Sequence, residues 1–333
     1  MTGSDPLPPP GTTRAPWEFA APWGARGYVT PLDGPVHWIE FGPSPLRPAP
    51  GTAAPEAHPR QGPPVVFVHG LGGSHLNWCQ IGPRLAEGRR AVALDLHGFG
   101  LTPGSRRQAT VQANTRLVDR FSREVAGTPV ILVGNSMGGL ISVLQTAAAP
   151  GTVAGLVLID PALPLPRQKP DWPVTGQFLL YALPGLGELV VRALSRRPPE
   201  VAVRDLINLC FADPSRADPT MVEASIALAR RRQSAPARDA SLLAAARSLL
   251  RVIGRSRRYW AMMAGIGVPV LLIGGDADRL VPVASMRRAA ARNPRWETTI
   301  LAGVGHTPQL EVPGAVADAI QDWLGRHFAS AAG

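Results

Sequence analysis

The sequence predicts a doubly wound, mostly parallel α/β sheet with one inserted helical cap. Three observations carry this reading. Short apolar, β-branched runs recur along a chain of 333 residues, and helical patterns separate them. One stretch of roughly 100 residues interrupts the alternation, far longer than the ~2 to 6 residues that usually connect neighbouring elements. A run that is apolar on both faces must be covered on both, which is the condition of a parallel strand between two helical layers.

Taken in order, residues 1–26 are rich in Pro and Gly, lack periodicity and read as a Pro-rich N-terminal tail, loop or partly disordered. Residues 42–64, GPSPLRPAPGTAAPEAHPRQGPP, read the same way. The candidate strands are VHWIEF (36–41), VVFV (65–68), AVALD (91–95), VILV (130–133), GLVLID (155–160), VPVLLIG (268–274) and ETTIL (297–301). Between 161 and 262 there is no strand pattern. Helix-like segments at 176–195 and 219–258 are broken by PRQKPDWP, RRPPE and ADPSRADP. The expected organisation is therefore a tail (1–26), the first part of the α/β core (27–160), a helical cap (161–262) and the second part of the core (263–333). No internal repeat is present.

The net charge of +10 would ordinarily raise nucleic acid or an anionic membrane as partners. Lys169 is the only lysine, however, in a chain rich in Ala, Gly and Pro, so the arginine excess is as much compositional as functional. The cap segment holds 16 basic and 8 acidic residues and so carries most of the charge. Its clusters RRRQSAPAR and GRSRRYW read most simply as solvated helix faces, with anionic lipid or acyl carriers as the other reading. FLLYALPGLGELVV (178–191) is expected to be cap core folded over the pocket, or else a peripheral membrane contact made through the cap. Cys79 and Cys210 have no CxxC or Cys/His spacing, so neither a disulfide framework nor a zinc site is indicated. The start lacks the n- and h-regions of a signal peptide, and no apolar run reaches the ~18 residues of a membrane span. A soluble, cytoplasmic protein is the expectation. The oligomeric state is not readable.

The stretch VGNSMGGLIS (133–142) ends an apolar run and sets Ser136 between Gly134 and Gly138. A sharp strand-to-helix turn strains its central residue and crowds the neighbours two positions away, which calls for glycine at both. The hydroxyl then lies at a helix N-terminus, where N–H groups favour developing negative charge. The plain alternative is a glycine-rich turn whose serine caps the helix, and GxSxG alone does not choose between them. A serine nucleophile needs a base, and the base needs an orienting acid. LLIGGDADRLVP puts Asp276 and Asp278 just after a strand, and LAGVGHTPQLEVP puts His306 just after the last one. All three elements fall at carboxyl ends of parallel strands, where ligands bind in open α/β sheets. His37, His58, His69, His75, His97 and His327 do not follow a late strand in this way.

HGLGGS (69–74), DLHGFG (95–100), GNSMGG (134–139), GGDADRLVP (274–282) and GHTPQLEVP (305–313), in that order, resemble the α/β-hydrolase superfamily in its branch with a helical cap. The resemblance covers about residues 28–328. It implies that the acid is Asp278, by the pattern G-x-x-D-x-x-V-P. Asp276 is then a turn residue, and Asp160 is a fallback because some members place the acid there. It also implies an oxyanion hole from the backbone N–H groups of Leu71 and Met137, a structural role for His69, and a Glu311 that anchors the His306 loop. A dinucleotide fingerprint around Gly70, Gly72 and Asp95 fails at its third small position, which is His75.

The expected activity is serine hydrolysis of an apolar or lipid-like small-molecule ester, with no cofactor, no metal and no nucleic acid. The alternatives are a carbon–carbon hydrolase of aromatic ring-cleavage products, a thioesterase and a non-catalytic small-molecule binder. Carbon–carbon hydrolases share GNSMGG but typically carry Trp where this chain has Thr307, and usually have a Gly- and Pro-rich oxyanion loop that HGLGGS lacks. Haloalkane dehalogenases and the usual epoxide hydrolases place Asp where this chain has Ser136.

Overall fold

The structure, a computed structural model, describes residues 9–42, 62–164, 181, 183–235 and 237–328. Nine strands form one sheet: β1 (Thr13–Arg14), β2 (Ala25–Pro31), β3 (Pro35–Phe41), β4 (Val65–Val68), β5 (Ala91–Leu94), β6 (Val130–Asn135), β7 (Val153–Ile159), β8 (Val270–Gly275) and β9 (Glu297–Leu301). Their order is β1-β2-β3-β5-β4-β6-β7-β8-β9. Every neighbouring pair from β5 through β9 is parallel, while β1, β2 and β3 join antiparallel. All seven expected strands are present, with ends shifted by two residues or fewer.

Adjacent residues of the central strands feed opposite layers, which is the physical meaning of a fully apolar run. Val66, Val68, Leu132, Leu156 and Leu158 pack with α2 (Val111–Phe121) and α3 (Met137–Ala148) through Leu117, Phe121 and Leu140. Val65, Phe67, Ile131, Val133 and Ile159 face the other side. There they meet Leu85 of α1 (Gly82–Leu85) and Ile320 and Trp323 of a C-terminal helix, Pro313–Phe328. Full burial of such a side chain is worth about 1.5–3 kcal/mol relative to exposure.

The tail reading needs correction. Residues 13–14 pair with Tyr28 and Val29, and Ala15, Ala20 and Ala25 are buried, so the second half of 1–26 belongs to the sheet edge. The missed signal is Asp33-Gly34, two consecutive positive-φ residues that turn β2 back onto β3. Residues 43–61, which include most of the second expected loop, lie outside the described residues.

Between β7 and β8 the described elements are all helical: α4 (Leu186–Ser195), α5 (Pro199–Cys210), α6 (Pro219–Arg232), α7 (Arg238–Gly254) and α8 (Ser256–Ala264), with one short 3₁₀ turn. The expected helix over 219–258 is divided, with Ala237 in the left-handed region ahead of α7. α5 was hidden because RRPPE reads as a breaker. Pro199 instead occupies the first helical position, where its missing N–H costs nothing. α4 packs on α7, and Arg247 Nη1 meets Glu188 Oε1 at 2.8 Å.

Of FLLYALPGLGELVV, residues 178–180 and 182 lie outside the described residues, as does much of the expected helix over 176–195. Tyr181 and Val191 are buried as expected of cap core, but Leu183, Leu186 and Leu189 are 50%, 42% and 66% exposed. Among the described residues no helix is long and apolar enough to cross a membrane.

Candidate active site

β6 ends at Asn135 and α3 begins at Met137, so the whole change of direction falls on Ser136, with φ 54° and ψ −119°. A Cβ on Gly138 would stand 1.9 Å from Val68 O, and one on Gly134 would stand 2.6 Å from Gly138 O. Both glycines are therefore required by space. The strained residue is clamped by its own backbone: Ser136 N–H donates to Ile159 O at 3.1 Å, and Ser136 O accepts from Leu140 N at 3.1 Å and Ala162 N at 2.9 Å.

The loop after β4 comes up against the serine. A Cβ on Gly70 would lie 3.1 Å from Ser136 Cβ. Gly73 N–H closes this turn onto Gly70 O at 3.1 Å. Among the described residues, the N–H groups of Leu71 and Met137 donate to nothing within the protein. His69 lies under the turn, its Nδ1 2.8 Å from Gly70 O, while its Nε2 accepts from Leu96 N–H at 3.0 Å. Burial pushes its pKa down to about 4, so the ring is neutral with its proton on Nδ1. This is the structural role expected of it.

His306 Nδ1 lies 2.7 Å from Asp278 Oδ2, and both residues are buried. Asp278 Oδ1 accepts from Leu280 N–H at 2.7 Å and Val281 N–H at 3.0 Å, so the turn after β8 fixes the carboxylate before it meets the ring. Asp276 instead accepts from Gly303 N–H at 2.7 Å and is the turn residue. Asp160 makes no hydrogen bond to His306 and accepts from Gly275 N–H at 3.2 Å.

The Ser136 hydroxyl has no hydrogen-bond partner among the described residues. The link between the elbow and His306 runs through Asn135, whose Nδ2 donates to Ile159 O at 3.0 Å and His306 O at 3.1 Å. Asn135 was not singled out from the sequence, where it is merely the x of GxSxG.

Glu311 holds the histidine loop. It accepts from Gly305 N–H at 2.8 Å, from Ala212 N–H at 3.1 Å and Asp213 N–H at 3.0 Å in the cap, and from Arg216 Nη1 at 3.1 Å. His306 N–H itself donates to Cys210 O, at the end of α5, at 2.6 Å.

One cluster escaped the sequence reading altogether. Asp95 accepts from His75 N–H and Leu101 N–H, both at 2.7 Å, and faces the Nδ1 atoms of His37 at 2.8 Å and His75 at 2.9 Å. Burial alone would raise its pKa, yet the charge of His75 and the bonds from both rings hold the carboxyl well below its ordinary range. Residue 100 must be glycine here, since a Cβ would fall 1.9 Å from Asp95 Cγ. The ligand atoms of His37, His75 and Asp95 lie within 4.8 Å of one another, a spacing a metal ion could use. Four N–H donors already occupy the carboxylate, so the cluster is a hydrogen-bond network centred on Asp95 that ties β3 to the loops after β4 and β5.

The family model of the alpha/beta hydrolase fold matches residues 63–313. A pimeloyl-[acyl-carrier protein] methyl ester esterase of Xanthomonas oryzae pv. oryzae is 30% identical over 266 residues, covering 79% of this chain and 95% of its own. The monoglyceride lipase of Homo sapiens is 29% identical over 276 residues, with coverages of 80% and 75%. A 2-hydroxy-6-oxononadienedioate/2-hydroxy-6-oxononatrienedioate hydrolase of Cupriavidus pinatubonensis is 27% identical over 267 residues, with coverages of 78% and 86%. Against the dihydrolipoyllysine-residue acetyltransferase components of acetoin cleaving systems from Pseudomonas putida and Cupriavidus necator, both 28% identical, the chain spans only 64% and 59% of the relative's length. Among solved structures, a membrane phospholipase A described as a bacterial virulence factor superposes with a TM-score of 0.70 at 25% identity, covering 92% of this chain and 88% of the other.

Proposed function

The chain belongs to the alpha/beta hydrolase family, and from that premise we propose that it cleaves carboxylic esters of apolar, lipid-like molecules through a Ser136 acyl-enzyme. The observation that carries this reading is the 2.7 Å contact of Asp278 with His306 Nδ1. That contact leaves Nε2 to act as a base, and the bond from Asn135 Nδ2 to His306 O ties the loop that carries it to the elbow. His306 takes the Ser136 proton as Oγ attacks the ester carbonyl, and Asp278 steadies the imidazolium that forms. The N–H groups of Leu71 and Met137 receive the oxyanion, a contribution typically worth ~10²- to 10³-fold per donor. His306 then protonates the leaving alcohol, and water activated by the same ring releases the acid. Catalytic hydrogen bonds to a serine often tighten only when substrate is bound, so an unpartnered Ser136 hydroxyl is compatible with this sequence of steps.

The similarity to a methyl ester esterase and a monoglyceride lipase supports an ester with an apolar acyl part. The carbon–carbon reading draws support from the ring-cleavage hydrolase relative but meets Thr307 rather than an aromatic residue beside the base. The test is intact mass after incubation with a fluorophosphonate, beside Ser136→Ala, with a chain-length series of p-nitrophenyl esters. Labelling that vanishes in the variant, together with ester turnover, is the expected result. A folded wild type that neither labels nor turns over ester refutes the proposal.

A further inference from the structure

α4 turns one face to the protein and the other to solvent. Gly187 and Val191 are buried, and Val191 packs with Tyr181, Leu243 and Ala246 in a small apolar cluster that Leu71 touches. At 3.6 residues per turn, Leu186, Leu189, Ala193 and Arg196 fall within an arc of about 80° on the opposite side, with Arg192 at its edge. All five are exposed, and so is Leu183 just ahead of the helix. The segment is firmly presented, because Arg247 of α7 reaches it with Nη1 and Nη2 on the two Glu188 oxygens at 2.8 and 2.9 Å and with Nε on Tyr181 O at 2.9 Å.

Single exposed leucines need no explanation, but the charge beside these does. The acids around α4 are already engaged: Glu188 by Arg247, Asp205 by Arg197 and Asp239 by the Ser195 hydroxyl. Arg106, Arg192 and Arg196 are exposed, and among the described residues none of the three has an ion pair or a side-chain hydrogen bond. Arg106 reaches this place from the loop after β5, where it lines one cleft with Arg192 above the buried Leu243. The outer face of α4 therefore sets three leucines beside three guanidiniums that no carboxylate neutralises. Ten residues span about 15 Å, far short of a bilayer, yet enough to lie in its interface with leucines inward and arginines at the phosphates.

We propose that the outer face of α4 docks on an anionic lipid bilayer, with Leu183, Leu186 and Leu189 entering the acyl boundary and Arg106, Arg192 and Arg196 taking lipid phosphates. Docking there places the lipid surface on the helix whose inner side packs, through the Val191 cluster, against Leu71. It does not rest on the ester reading.

Sedimentation with vesicles of phosphatidylcholine and phosphatidylglycerol in equal parts, and of phosphatidylcholine alone, tests this on the Ser136→Ala protein, which consumes no lipid in the proposed reaction. Binding to the mixed vesicles, weakened by added salt and at least tenfold stronger than to phosphatidylcholine, is expected, roughly the effect of two or more cations near an anionic surface. Leu186→Ser combined with Leu189→Ser should lower the partition constant about tenfold or more on both vesicles. Arg106→Gln and Arg192→Gln should each lower it about fivefold on the mixed vesicles alone. Arg295→Gln removes an exposed arginine just ahead of β9, at the amino ends of the strands, and should change nothing. The substituted side chains are exposed, so the melting temperatures should match that of the parent.

A protein left in the supernatant with mixed vesicles overturns the proposal. Binding that survives the leucine changes, or that falls as far in Arg295→Gln as in Arg192→Gln, also overturns it, since that is the general attraction of a chain of net charge +10. Equal binding to both vesicles removes the arginines from the docking and has the same consequence. A dimer in analytical ultracentrifugation that the leucine changes dissolve gives the face to a second copy and overturns it too. Vesicle binding by a protein that hydrolyses no ester refutes the proposed substrate and leaves the docking face standing; ester turnover without vesicle binding does the reverse.

Discussion

Replacing Gly138 with Ala places a methyl group 1.9 Å from Val68 O and 2.5 Å from His69 O, both backbone atoms. Ordinary contact begins near 3.4 Å, so α3 and the end of β4 must part by about 1.5 Å. Neither side yields easily. Val68 is paired with Leu94 on one flank and Gly134 on the other, and Ser136 O is held by two N–H groups. Forced overpacking of this kind costs about 1–3 kcal/mol or more. The larger effect falls on chemistry, because the displaced atoms carry Ser136 and the Met137 N–H, and a shift of ~1 Å costs on the order of 10²-fold in rate. The assay is the second-order rate of fluorophosphonate labelling followed by intact mass, with a thermal melt alongside. The Ala variant is expected to label about 10²-fold more slowly and to melt several degrees lower. Gly134→Ala, with its closest atom at 2.6 Å, should fall between the two. A Gly138→Ala protein that labels at the wild-type rate with an unchanged melting temperature would refute the close-packed elbow and the role assigned to its geometry.

Asp278→Asn should leave the melting temperature near that of wild type while slowing labelling and ester turnover by about 10⁴-fold, since the amide favours the wrong imidazole tautomer; the Asp276→Asn variant, assayed in parallel, should behave as wild type. Asn135→Ala removes two buried hydrogen bonds, one of them to His306 O, and should lower kcat with little change in KM and reduce stability by about 1–3 kcal/mol in a denaturant titration. His69 stays neutral in the fold down to about pH 4 but takes up a proton near pH 6.5 when unfolded, so its contribution is fully present above that range and is lost as pH falls through it. The amount is about 3 kcal/mol, and a melting curve should decline between pH 7 and pH 5 with a shallower slope in His69→Gln.

The central strands could be read from the sequence because burial on both faces writes an uninterrupted apolar run, as in VVFV. The serine could be read because the glycines that make its turn sit within two residues of it. His306 and the two candidate aspartates could be found because each follows a strand, but choosing Asp278 over Asp276 took the family pattern. β2 was missed for the opposite reason: ARGYVTP is half-exposed near the sheet edge, and its small and polar residues write no stripe. Asp95 gave no local sign, since its partner His37 is 58 residues away and the network exists only once β3 lies beside β5. Asn135 lies next to Ser136, which the sequence singled out, yet its bonds to Ile159 O and His306 O depend on what comes to it from across the sheet.

The bond from His306 N–H to Cys210 O, with the grip of Glu311 on Ala212, Asp213 and Arg216, redraws the frontier between the two parts of the molecule. Measured along the chain, residues 210–216 sit in the middle of the insertion; measured by what they fasten, they are scaffold. A graft that imports a foreign cap should therefore keep this seam native and exchange the helices on either side of it, because a splice that runs through the seam would unfasten the His306 loop from behind.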